Sequence, residues 1–232
     1  MRAQARTSAP RRPLGTPRHR RDAIAAVIGA YDDRIVRAYS RVRFQILRQR
    51  FLEEVGQYLP AEGRVLDIGC GFGLFALYYQ LTRPGLSIHG LDLNPRRIEM
   101  ARRAADRLGV AQARFDVADA RQPLVLPVVD AVYMLDLIHH VPRGAARDLV
   151  AAIAARLPRG ARLIIKDIET APAYKRWFTF ALDKLMDWRT PVDYWSQAEV
   201  LDLLHEAGFE AYRHSMVDYL PYPHVIYVAT RL

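Results

Sequence analysis

Two adjacent histidines, His139 and His140, four aspartates, Asp67, Asp92, Asp119 and Asp167, and glycines at every second position, Gly69, Gly71 and Gly73, are the residues whose types and spacing could support chemistry. An imidazole has an unperturbed pKa of about 6.5, so near neutrality it can take a proton from a weak nucleophile. His140 directly precedes Val141-Pro142 and is the first candidate for such a base, with His139 second. The competing reading is structural, because either ring can cap or pack against the helix that Pro142 opens. Asp167 ends a later apolar run, where it could assist the base, hold a substrate hydroxyl or order a loop.

The glycines belong to Val65–Gly73, VLDIGCGFG, which reads as an apolar strand, a tight turn and a helix start. Glycine lacks a Cβ, so the chain can turn sharply and a ligand can lie against the backbone. A turn of this kind between a buried parallel strand and a helix is where doubly wound folds bind nucleotides. A dinucleotide fingerprint beginning at Gly69 would require glycine at position 74, which is Leu74. Asp92 stands 25 residues after Asp67, at the end of the next apolar run. A carboxylate there can accept hydrogen bonds from both hydroxyls of a ribose. Asn94 and Pro95 supply the cap and first residue of the following helix, so capping does not require Asp92.

The run Asp67, Gly69, Gly71, Gly73 resembles motif I of the class I S-adenosylmethionine-dependent methyltransferases. The resemblance implies an α/β fold: a doubly wound, mostly parallel seven-stranded sheet of order 3-2-1-4-5-7-6, with its last-formed strand antiparallel. It implies S-adenosyl-L-methionine as cofactor, held by Asp67, Gly69, Cys70, Gly71, Gly73, Asp92 and Leu93, with Asp119 beside the small Ala120 at the adenine and Leu135 at the end of strand four. Where family members acting on amide or adenine nitrogens carry an Asn/Asp-Pro-Pro-aromatic run, this chain has Asp136, Leu137, Ile138 and His139. Its His-His-Val-Pro is instead similar to members that methylate oxygen, or less often carbon, of small molecules. The expected acceptor is apolar, such as a polyketide, quinone precursor or lipid. An RNA methyltransferase standing on the basic N-terminus and a non-catalytic cofactor-binding protein are the alternatives.

These residues need elements to position them. Ile24, Val27, Ile28 and Tyr31, then Phe44, Leu47, Phe51 and Val55, recur at helical spacing and predict two helices within residues 22–60. In the resembling family such helices cap the cofactor, which makes Tyr31, Tyr39 and Arg43 pocket candidates. Residues 170–195 hold all three tryptophans and read as a lid-like insertion after strand five. Trp177 is its candidate acceptor contact, and Tyr219, in the loop between the last two strands, is another. Ser196-Gln-Ala-Glu199 is a capping box that starts the last helix.

Composition narrows the class. At 232 residues and 51% hydrophobic content, the chain suits a single domain over 22–232. Most of the +9 charge sits in seven arginines within residues 1–21, a Pro-interrupted stretch expected to be a disordered basic tail. The rest is close to neutral, so the expected partner is a small molecule rather than a nucleic acid. Lys175, Arg176, Lys184 and Arg189 could nevertheless rest the insertion on an anionic membrane. The single cysteine, Cys70, excludes an intrachain disulfide and a cysteine-based zinc site, in keeping with a cytoplasmic protein without a metal. Nothing in the composition sets the oligomeric state.

Overall fold

The computed structural model describes residues 17–47, 49–168, 195–215 and 224–232. Helix α1 spans Pro17–Gly29, so the basic stretch turns helical before residue 22, where the sequence reading ended the tail. Proline suits a first helical position, and Arg20 pairs with Glu53 while Ala23 and Val27 are buried. Among the described residues three helices, not two, precede the first strand: α1, α2 (Arg34–Ile46) and α3 (Gln49–Gly56). The break after α1 is made by Asp33, whose carboxylate accepts the N–H groups of Ile35 at 2.7 Å and Val36 at 3.3 Å and so caps a new helix.

The sheet has seven strands: β1 (Gly63–Ile68), β2 (Leu86–Asp92), β3 (Ala113–Val117), β4 (Ala131–Leu135), β5 (Arg162–Ile168), β6 (Phe209–Ser215) and β7 (His224–Arg231). Their order is β3-β2-β1-β4-β5-β7-β6, with β7 antiparallel to both neighbours. Helix α4 (Leu74–Thr82) follows β1 and α5 (Pro95–Leu108) follows β2; α6 (Arg143–Ala154) precedes β5 and α7 (Gln197–Glu206) precedes β6. The strands near the centre are buried on both sides, which is why they read as unbroken apolar runs rather than alternating ones.

One apolar core lies between the sheet and α1 to α5, the other beneath α6 and α7. Leu47, Phe51 and Val55 are all but fully buried in the first, each contributing about 1.5–3 kcal/mol of transfer free energy. The capping box forms: Glu199 N–H donates to Ser196 Oγ at 3.3 Å, and Ser196 N–H donates to Glu199 Oε2 at 2.7 Å. It sets α7 next to Trp195, a buried ring with Arg143 stacked 4.7 Å above it. No helix among the described residues is long and apolar enough to cross a membrane. Parallel pairing brings the carboxyl ends of β1, β2, β4 and β5 to one edge, and with them Asp67, Asp92, Asp136 and Lys166-Asp167.

Candidate active site

The turn after β1 is stapled to the end of β2. Gly69 and Cys70 N–H both donate to the Leu91 carbonyl, at 2.7 and 2.9 Å. Asp92 accepts the Gly71 N–H at 2.9 Å on Oδ2 and the Asn94 N–H at 2.9 Å on Oδ1. Each carboxylate oxygen has a second lone pair, so ordering the turn and accepting from a diol are compatible. Gly71 (φ +57°) and Gly73 (φ +76°) are both left-handed, but for different ends. A Cβ on Gly71 would meet no atom within 4 Å, whereas one on Gly73 would lie 2.7 Å from the Phe115 ring. The first glycine leaves space, and the second allows close packing of helix start on sheet.

That space belongs to a cavity of about 810 Å³ enclosed by the turn, the ends of β2 and β4, and α2. Asp67 lies at its floor, 2% exposed, and accepts a 2.8 Å hydrogen bond from the Tyr133 hydroxyl, its register partner on β4. Burial raises the Asp67 carboxyl; Tyr133 lowers it and Asp92 raises it further, and the outcome is a pKa pushed up to about 8.

The two histidines fall in different surroundings. They form a short 3-10 turn, Ile138–His140, with ring centroids 4.2 Å apart. His140 lines the cavity. His139 is 1% exposed behind it, with Nδ1 2.6 Å from Asp167 Oδ1. Just before this turn, Asp136 takes φ +57°, a positive value no other non-glycine residue shows among the described ones. Such a conformation costs about 1–2 kcal/mol. What holds it is charge: the Asp136 carboxylate pairs with Lys166, which is fully buried on β5, and with Arg43 of α2.

Of the sequence candidates, Asp67, Gly69, Cys70, Gly71, Asp92, Leu93, Asp119, Ala120 and Leu135 line the cavity, as do Tyr39, Arg43 and His140. Gly73 does not, for the packing reason just given. Tyr31 is also displaced from the cavity wall: its ring is buried and its hydroxyl donates to the Phe72 carbonyl at 2.7 Å, so it supports the glycine turn from behind. Asp167 sits away from the lining and is held by His139, which favours ordering over direct contact with substrate. Asp119 reaches the cavity already bridged to Arg121 at 2.8 Å. Trp177, Tyr219 and the proposed lid lie outside the described residues, apart from Trp195. Sequence reasoning missed Tyr133, Lys166 and the structural role of Asp136. The available signal was Lys166 itself, a cation inside the buried run Leu163-Ile-Ile-Lys166, which folding tolerates only with a paired carboxylate.

The chain matches the family model described as a methyltransferase domain over residues 39–214, and it belongs to that family. It is 36% identical over 123 residues to ubiquinone biosynthesis O-methyltransferase from Xylella fastidiosa (strain 9a5c), a span of 50% of this chain and 47% of that protein. Against carboxy-S-adenosyl-L-methionine synthase from Campylobacter curvus it is 28% identical over 142 residues, 61% of this chain and 58% of that one. The chain thus spans about half the length of the curated relatives it matches. In fold it is similar to magnesium protoporphyrin IX methyltransferase from Synechocystis PCC 6803, solved with bound SAH. That likeness has a TM-score of 0.64 at 21% identity and covers 91% of this chain and 94% of the other.

S-adenosylmethionine is the cofactor of this family, and the residues present fit it. Gly71 leaves open space against the backbone, and Asp92 borders the same cavity with diol-accepting oxygens. Asp67 and Asp119 line it as well, and a positively charged ligand end would favour the ionised form of buried Asp67.

Proposed function

We propose that the protein transfers the methyl group of S-adenosylmethionine to an oxygen, or less often a carbon, of an apolar small molecule, with His140 as proton acceptor. One observation carries this reading: His140 opens onto the cavity of the glycine turn, while its neighbour is held behind it by Asp167. When bound, the cofactor supplies an electrophilic sulfonium methyl. The chain supplies the rest. Asp92 and the glycine turn would fix the ribose, Asp119 and Ala120 the adenine side, and Asp67 the charged amino-acid end. Tyr39, Val42, Ile46 and Leu124 give the remaining wall an apolar character suited to a quinone precursor, polyketide or lipid. His140 would take the acceptor hydroxyl proton as the methyl transfers, and the His139–Asp167 pair holds the adjoining ring in place. The name of the quinone-pathway relative supports an oxygen acceptor.

The test is incubation of the purified chain with isotopically labelled cofactor and a metabolite extract, followed by mass spectrometry for products heavier by one methylene, about 14 Da, plus the mass of the label. Labelled products that vanish with His140→Ala support the reading. Tight binding of S-adenosylhomocysteine with no methylated product from any extract would make this a cofactor-binding protein instead. RNA that gains label, in a salt-sensitive manner dependent on the arginines of residues 1–16, would move the acceptor to nucleic acid.

A further inference from the structure

The outer face of α2 carries apolar and cationic surface that packing among the described residues does not use. Arg34, Ile35, Ala38, Arg41, Val42 and Gln45 recur at helical spacing as one exposed stripe. Ile35 is 79% exposed and Val42 51%. The helix has four arginines and no acid. Arg43 is committed to Asp136, whereas Arg34, Arg37 and Arg41 enter no ion pair among the described residues. The stripe also leads somewhere: Val42 is both exposed on the face and part of the cavity wall, next to Tyr39 and Ile46 one turn to either side.

We propose that this face of α2 docks on an anionic lipid bilayer, so that the cavity mouth opens at the membrane and takes its apolar acceptor from it. Exposed isoleucine and valine among arginines is the composition of a helix lying in a lipid interface, with the apolar groups entering the acyl boundary and the guanidinium groups at the headgroups. Each arginine near an anionic surface strengthens binding by about fivefold. A second copy of the chain fits less well, because a two-fold contact through this stripe would crowd Arg34 and Arg41 of both copies into one interface to which α2 brings no acid. A phosphate backbone would satisfy the arginines and leave Ile35 and Val42 without purpose. The docking half of the proposal stands on the surface alone; the delivery half rests on the methyl-transfer reading.

Co-sedimentation of the full chain with vesicles tests it, comparing phosphatidylcholine alone with phosphatidylcholine containing phosphatidylglycerol. The wild type should partition onto the anionic vesicles and be released by salt. Ile35→Glu and the double variant Arg34→Glu/Arg41→Glu should each weaken this by about tenfold or more, with melting temperature and S-adenosylhomocysteine affinity unchanged. All three proteins share the same N-terminal arginines, so equal vesicle binding by wild type and variants would assign it elsewhere and overturn the proposal. So would a wild type that ignores anionic vesicles, or a dimer in analytical ultracentrifugation that Ile35→Glu dissociates. Labelled-product formation is measured separately on a detergent-dispersed extract. Its absence would sink methyl transfer and leave the docking result standing.

Discussion

Arg43 on α2 and Asp136 beyond β4 form an ion pair that ties the N-terminal helices to the carboxyl edge of the sheet, and buried Lys166 takes the other oxygen of the same carboxylate. Burial alone would raise the Asp136 carboxyl, but the Lys166 ammonium and Arg43 guanidinium override it and hold it well below the usual carboxylate range. Its folded pKa is therefore below its unfolded value of about 3.9. The stability it contributes is present above pH 4 and is lost as pH falls below that. Asp136→Asn leaves the Lys166 charge buried and uncompensated, so urea denaturation at pH 7 should register a loss of about 3–5 kcal/mol. Arg43→Met spares the Asp136–Lys166 pair and should cost less stability while weakening cofactor affinity, because it frees α2 from the cavity edge.

Asp67 has the opposite sign. Its pKa of about 8 lies above the unfolded value, so proton binding favours the folded state, and that advantage disappears as pH rises from about 4 to about 8. Asp67→Asn keeps a partner for the Tyr133 hydroxyl and removes the buried charge. It should flatten the decline in melting temperature between pH 6 and 8 and stabilise the ligand-free protein at pH 8 by about 1–3 kcal/mol. Calorimetry of S-adenosylhomocysteine should show wild-type affinity rising over the same pH range and the variant weaker and indifferent to pH. A wild-type affinity that falls toward pH 8 would separate Asp67 from the ligand.

Gly71 and Gly73 should fail differently. Gly71→Ala meets no protein atom, so only backbone strain of about 1–2 kcal/mol is expected, with cofactor affinity reduced by tenfold or more because the methyl occupies the ligand's space. Gly73→Ala adds a clash with Phe115 to the same strain. Its main loss should be thermal stability, read by differential scanning calorimetry.

For the histidines, His140→Ala should lower kcat by about 10²- to 10⁴-fold with S-adenosylhomocysteine affinity unchanged. His139→Ala removes a buried 2.6 Å contact, and Asp167→Asn takes the charge out of it. They should lower the melting temperature as well as turnover. If His140→Ala abolishes cofactor binding too, its role is structural and the base lies elsewhere.

Much of the site was legible because it depends on local rules. The spacing Asp67, Gly69, Gly71, Gly73 states a strand, a turn and positive φ values within nine residues. Asn94-Pro95 and Ser196–Glu199 state helix starts through side chains that reach their own backbone. The break between α2 and α3 was read over, because the apolar period Phe44, Leu47, Phe51, Val55 continues across it. The contents of the Arg43–Asp136–Lys166 cluster were not legible, since they come from three elements separated by 93 and 30 residues and meet only through sheet register and helix packing.

The sequence by itself determined the cofactor edge: an α/β chain, its strand order through the family pattern, and the acidic and glycine positions Asp67, Gly69, Gly71, Asp92 and Asp119 that line the cavity. Tertiary structure alone decided which of two adjacent histidines faces the cavity and which lies buried on Asp167, and which left-handed glycine leaves room for a ligand. It also decided that Asp136 is a clasp and that one stripe of α2 stays uncovered among the described residues. The physical reason is the same in each case. Local chemistry fixes conformation along the chain, but orientation toward a cavity, a buried countercharge or solvent depends on partners that only packing brings together.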